Sequence, residues 1–270
     1  MKITSIFSVG AASLMLMACT TNPITGRKSV QIGSLNSQIQ ASAVQQYKET
    51  LASSKVISGT TAANQIKTVG NNIKNAANKY YTSIGRAGSL EGYSWEFNLL
   101  QSDQVNAWCM PGGKVAVYSG ILPVTKDANG MAVVMGHEIS HALAGHGNER
   151  ISQAVIAQYG GQILGGALSS SQWSNIFQQA YPLGAQAVLL KYGRSQELEA
   201  DEMGLYLMSM AGYDPRTAAP FWERMESIST GNRPPEFLST HPSPENRRAD
   251  INKHLPRALE YYKASGGKIL

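Results

Sequence analysis

Cysteine is nearly absent from this chain, with only Cys19 and Cys109 among 270 residues. If Cys19 is taken up by the modification its neighbours suggest, Cys109 stands alone, and one thiol cannot close an internal disulfide. Stability must then come from an apolar core and from what the polar side chains hold. Beyond the first 19 positions there is also no apolar run of the roughly 18 residues that a membrane span requires. No Lys/Arg cluster occurs either: 23 basic residues stand against 18 acidic ones, a net charge of +5, which gives no footprint for nucleic acid. What remains is enough chain for one substantial domain.

The opening residues read as a leader. Lys2 supplies a basic start, Ile3 to Met17 are mostly apolar or small, and Leu16-Met17-Ala18-Cys19 closes the stretch. It is too short to cross a bilayer and suits a secretory signal. Leucine three before the cysteine, with a small residue just before it, resembles the bacterial lipobox. That resemblance implies a signal peptide over 1–18, cleavage before Cys19 and a diacylglyceryl group on its sulfur. Thr20 in place of aspartate favours a lipid anchor on the periplasmic face of a Gram-negative outer membrane. Residues 19–37 then make a lipid tether and docking segment, with turn chemistry in Asn22-Pro23-Ile24-Thr25-Gly26-Arg27, and 38–270 a single domain.

Helical periodicity runs from Ser34 to about Ala52 and from Thr61 to Tyr81, with loops over 53–60 and 85–92. The period then changes. Alternation over Tyr93 to Leu99, then Val105 to Cys109 and Lys114 to Tyr118, predicts three short strands, the last two joined by Met110-Pro111-Gly112-Gly113. They suggest a small antiparallel sheet. The fold class is therefore mostly α (α+β), with that sheet beside the helix described next.

His137-Glu138-Ile139-Ser140-His141 carries the chemistry. A helix turns about 100° per residue, so the two histidines share a face and can hold one small cation. Glu138 is a basic carboxylate beside that cation without being a ligand, the division of labour of zinc peptidases. The apolar Met131 to Met135 lead in, and Gly145 and Gly147 mark the end. A catalytic zinc wants a third protein ligand, which turns attention to Gly193-Arg194-Ser195-Gln196-Glu197-Leu198-Glu199-Ala200-Asp201-Glu202. Glu197 and Asp201 share a helical face that Leu205 and Met208 continue inward, whereas Glu199 and Glu202 point elsewhere and read as exposed carboxylates. Arg194 stands one turn before Glu197, placed to organise these acids.

Asn106-Ala107-Trp108, Pro111-Gly112-Gly113-Lys114, Val117-Tyr118-Ser119-Gly120 and His137 to Leu143 together resemble the HtpX and CAAX prenyl endopeptidase family. These are zinc endopeptidases of the gluzincin kind, and the lipid-anchored periplasmic branch lacks the membrane helices of HtpX. The resemblance implies a zincin-like domain holding one Zn²⁺ per chain through His137, His141 and Glu197, with Asp201 hydrogen-bonding a zinc histidine. It further implies cleavage of unfolded or misassembled envelope polypeptides. Leu238-Ser239-Thr240-His241-Pro242 resembles the family's Thr-His-Pro segment. His241 has two candidate roles there, donating to the oxyanion or blocking the fourth zinc position. An edge strand beside the active-site helix would pair with the substrate main chain, with Asn106 and Gly113 as its candidate residues. The alternative from another class is a chaperone-like or scaffolding lipoprotein that binds chains without cutting them.

Other residues invite plainer expectations. His146 falls out of register for the third histidine of a metzincin and is structural or solvent-facing, and His254 lies on a polar helix. Residues 151–191, rich in Ala, Gln, Gly and Ser, suggest either a mobile helical hairpin that covers or frames the cleft or a plain packed one. Gly212, Asp214 and Pro215 end one helix and start another. A last helix to about Lys263 carries Arg247, Arg248 and Arg257 as a solvated face.

Overall fold

A computed structural model describes residues 17–159, 168–180, 192–228, 235–243 and 245–268. The leader up to residue 16, and 160–167 and 181–191 of the expected hairpin, lie outside the described residues. Within them, β1 (Met17–Thr21) and β2 (Lys28–Ile32) form an antiparallel hairpin that packs on the helical body, and Cys19 on it is exposed. α1 (Asn36–Ser53) and α2 (Thr61–Ser83) follow, separated by the two-residue strand β3 (Val56–Ile57). α2 starts where the Thr60 hydroxyl accepts from the Ala63 amide at 3.2 Å, and it buries Ile66, Val69, Ile73 and Ala77 on one face. No described helix is long and apolar enough to cross a membrane.

β4 (Glu96–Leu100), β5 (Ala107–Met110) and β6 (Lys114–Tyr118) join β3 in a four-stranded sheet of order β3-β4-β6-β5. The expected sheet is present, but it is mixed rather than wholly antiparallel: β5 and β6 form an antiparallel hairpin, while β4 lies parallel to β6. The cause is the burial of β6, whose Lys114 to Val117 are all buried. An apolar strand covered on both faces takes the centre and sends β5 to the edge.

Past a single helical turn, α3 (Leu122–Thr125), that edge faces α4 (Ala128–Leu143), the histidine helix. Its start is fixed by Asp127, whose side chain accepts from the Gly130 amide at 2.9 Å. From Gly130 to His141 every residue is buried, so α4 is a core helix without a solvent face. Gly145, at φ +69, adopts the left-handed conformation that ends α4 and lets α5 (His146–Tyr159) begin at once. After α6 (Ser170–Ala180), α7 (Arg194–Met210) packs directly on α4. Their backbones touch: a Cβ on Gly204 would lie 2.8 Å from both Gly136 C and His137 N. Only paired glycines allow this approach, and it brings the carboxylates of α7 to the histidines of α4.

Gly212 at φ +86, Asp214 accepting from the Arg216 amide at 2.9 Å, and Pro215 make the turn into α8 (Ala218–Ser227), as the sequence predicts. α9 (Glu236–Thr240) is a short helix that precedes His241, and α10 (Arg247–Ala264) returns across α7 and α8.

Candidate metal centre

α4 presents His137 and His141, α7 presents Glu197, and the end of α9 delivers His241. One ligand atom from each of these four lies within 4.8 Å of the others. His137 Nε2 stands 3.0 Å from His141 Nε2, 3.5 Å from Glu197 Oε2 and 3.3 Å from His241 Nδ1. His241 Nδ1 is 3.1 Å from Glu197 Oε1, and His141 Nε2 is 3.4 Å from that same oxygen. All four side chains are buried.

The hydrogen bonds behind the rings decide which nitrogen is bare. Asp201 Oδ1 accepts from His137 Nδ1 at 2.8 Å, which leaves a lone pair on His137 Nε2. His141 Nδ1 lies 2.7 Å from His146 Nδ1, whose Nε2 reaches Glu199 Oε2 at 2.8 Å. With His146 Nε2 donating to the carboxylate, its Nδ1 accepts from His141 Nδ1, and His141 Nε2 is bare as well. Two bare, buried nitrogens 3.0 Å apart repel each other unless a cation lies between them. The residues therefore fit a divalent metal: two imidazoles in the tautomer that ligates and a carboxylate beside them.

Electrostatics agree. Burial holds the His137 and His141 imidazoles well below their ordinary pKa, in the neutral form that binds a metal. Burial works against the charge on Glu197, but His241 and His141 outweigh it and keep the carboxyl well below the usual range. Glu138 differs. Burial is the main cause that lifts its pKa to about 7, opposed by His241 and by a hydrogen bond from the Cys109 amide. Its Oε1 has no hydrogen-bond partner and faces His241 Nε2 at 3.4 Å.

The profile of peptidase family M48 matches residues 69–255, a span that holds every residue of this cluster. The chain belongs to that family. It is 34% identical to the mitochondrial metalloendopeptidase OMA1 of Saccharomyces cerevisiae over 65% of this chain and 51% of that protein. It is 37% identical to the OMA1 of Schizosaccharomyces pombe, over 63% of this chain and 49% of that protein. The beta-barrel assembly-enhancing protease of Yersinia pestis is 28% identical over 81% of this chain and 44% of that protein. The chain thus spans about half the length of these relatives.

Several expectations about this M48 domain need correction. Arg194, expected to organise the carboxylates, is exposed and faces Glu245 at 3.6 Å. Arg247 does that work instead: it is buried, with Nη2 donating to Glu197 Oε2 at 2.6 Å and Nε to Asp201 Oδ2 at 2.7 Å. The sequence pattern places it on a solvated face, because nothing in its own helix marks it. Its position between Trp222, 3.8 Å away, and α7 is set by tertiary packing alone. Glu199 is likewise buried, because the β1–β2 hairpin covers the face of α7 on which it lies. Glu202 is half-buried, 3.4 Å from His254 Nδ1. His146 is no member of the four-donor cluster but stands behind one, and the Tyr192 ring lies over His141 with centroids 3.8 Å apart.

Asn106 and Gly113 do not form the open edge. The Asn106 carbonyl accepts from Tyr118, and Gly113 is held between Met110 and Glu96. In an antiparallel pair alternate residues face away from the partner, so with Asn106 and Met110 bonded to the β6 side, Ala107 and Cys109 direct their main chains outward. The Cys109 amide points at Glu138.

Proposed function

We propose that this chain is a zinc-dependent endopeptidase, with His137, His141 and Glu197 as the metal ligands. The observation that carries the reading is the four-donor cluster with the free Glu138 oxygen beside it. Two imidazoles and a carboxylate are a donor set that catalytic zinc favours. The ion would supply the Lewis-acid charge that polarises a peptide carbonyl and lowers the pKa of water. Glu138 takes a proton from the attacking water and returns it to the leaving amine, and the Cys109 amide holds its carboxylate in place. Asp201 and Arg247 hold His137 and Glu197. An extended substrate segment donates to the outward main-chain carbonyls of β5 at Ala107 and Cys109, whose amides are already engaged by Asn106 Oδ1 and Glu138. The test compares cleavage of an unfolded outer-membrane protein or casein by wild type, with and without chelator, and by Glu138→Gln.

His241 Nδ1 lies among the other donor atoms, 3.1 Å from Glu197 Oε1, so it would serve as a fourth ligand to a bound ion and would block the place of substrate. His241→Ala then raises proteolysis several-fold and keeps its zinc. A fall in rate with zinc retained would favour the oxyanion role, and zinc loss from a folded variant would contradict both. The closed cluster also supports a second reading, a chaperone-like lipoprotein whose protease activity is latent or absent. Activity lost in Glu138→Gln separates the two.

Within family M48 we take the chain with the lipid-anchored periplasmic branch that shares the HtpX and CAAX prenyl endopeptidase motifs. Its substrates are unfolded or misassembled envelope proteins, a reading supported by the likeness to the Yersinia protein named as a beta-barrel assembly-enhancing protease. The OMA1 relatives are mitochondrial, so the lipobox at Leu16 to Cys19 is what supports the outer-membrane location. Cys19→Ser is expected to move the protein from the membrane to the soluble periplasmic fraction, and an unchanged distribution would contradict the anchor.

A further inference from the structure

The β1–β2 hairpin ends in the same polar chain as the metal ligands. Thr25 Oγ1 donates to Glu199 Oε1 at 2.6 Å, and Arg27 Nε donates to Glu199 Oε2. The other two nitrogens of Arg27 donate to Glu149 at 3.1 and 2.6 Å, where Gln196 Nε2 also donates at 2.8 Å. From Glu199 the chain runs inward through His146 to His141, and both histidines are buried.

The order of donors in this chain is fixed by its outer end. A guanidinium can only donate, so Glu199 must accept from Arg27, and it remains an acceptor for His146 Nε2. A neutral imidazole that donates from Nε2 accepts at Nδ1, so His141 donates from Nδ1 and leaves Nε2 free for a metal. On the other ligand Arg247, Asp201 and His137 make the same arrangement one residue shorter. Each imidazole is thus backed by a carboxylate that an arginine holds, one arginine from each end of the chain.

We propose that Arg27 is a positioning residue for the metal centre, acting through Glu199 and His146 to hold His141 in the tautomer and ring plane of a ligand. The inference rests on the metallopeptidase reading given above. It assigns the turn between β1 and β2 to the metal site rather than to a tether alone. The hairpin has other fastenings, from the Ile32 amide to Ser152 Oγ at 2.9 Å and from Gln31 Nε2 to the Ala144 carbonyl at 3.3 Å. With Ile24 and Ile32 also buried, loss of the Arg27 side chain leaves the hairpin docked.

The test uses the full chain as wild type, Arg27→Gln, Arg27→Lys, Glu199→Gln and the double variant Arg27→Gln with Glu199→Gln. Zinc retention against a chelator, the visible spectrum of the Co(II)-substituted protein and kcat and KM on unfolded casein are read, with metal-free unfolding as the fold control. Substitutions behind a metal-bound histidine cost about 10- to 100-fold in metal affinity, so Arg27→Gln is expected to weaken zinc retention about tenfold and to alter the Co(II) spectrum. kcat falls while KM holds. Arg27→Lys recovers part of the loss, and the double variant is no worse than Glu199→Gln, because both act through one path. A wild-type Co(II) spectrum and zinc retention in folded Arg27→Gln would overturn the inference and leave the peptidase reading standing, as would strictly additive effects. Should Arg27→Gln fail to fold, Thr25→Val decides the matter: it removes one hydrogen bond to Glu199 and is expected to weaken zinc retention measurably, and no change would overturn the inference. Wild type that binds neither zinc nor cobalt removes the peptidase reading and this inference with it.

Discussion

Glu138→Gln is expected to keep its metal and lose about 10²- to 10⁴-fold in the rate of peptide hydrolysis, the usual contribution of a positioned general base. Glutamine is isosteric and can still accept from the Cys109 amide, so neither fold nor ligands are disturbed. What disappears is the basic oxygen. Glu138 Oε1 is buried, has no hydrogen-bond partner and sits beside the four-donor cluster, and a carboxylate left so placed has proton transfer as its available work. Burial raises its pKa to about 7, and the base form is present above that value. Activity therefore falls as pH drops through the carboxyl's titration, with the acidic limb at or below about 7 because a bound cation lowers the value further. Activity of wild type no greater than that of Glu138→Gln, with metal loaded in both, would favour the binding role.

Arg247→Ala is expected to destabilise the fold by about 3–5 kcal/mol, the cost of removing one partner from a buried ion pair. The guanidinium is fully buried and joins Glu197 on one nitrogen to Asp201 on another. Without it two neighbouring carboxylates keep their burial and lose their shared cation, and the space over Trp222 is left unfilled. Arg247→Lys recovers only part, since an ammonium cannot present two donors in the fork that both acids require. Urea unfolding of the metal-free protein measures the effect, and a loss under about 1 kcal/mol would show that the clamp is peripheral.

How much of this could be seen in the sequence depended on whether the cause was local. The His137 to His141 spacing and the Glu197 to Asp201 spacing are helical, and the structure brings these residues together as the spacing suggests. Gly212, Asp214 and Pro215 act within their own turn, by backbone conformation or by a side-chain cap two residues on, and are legible for the same reason. Arg247 and Glu199 were not. Their burial comes from elements far away in the chain, α7 and Trp222 for one and the turn at Thr25 and Arg27 for the other. The contact of Gly136 with Gly204 and the parallel pairing of β4 with β6 also arise only when distant segments meet.

The most direct test is the metal content of the purified full chain, with anomalous scattering at the zinc edge in its crystals. One ion per chain is expected, bonded to His137 Nε2, His141 Nε2 and Glu197 and lost when any of the three is replaced by alanine. Folded protein that stays metal-free in excess zinc, or an ion bound elsewhere with these three side chains apart, would contradict this expectation.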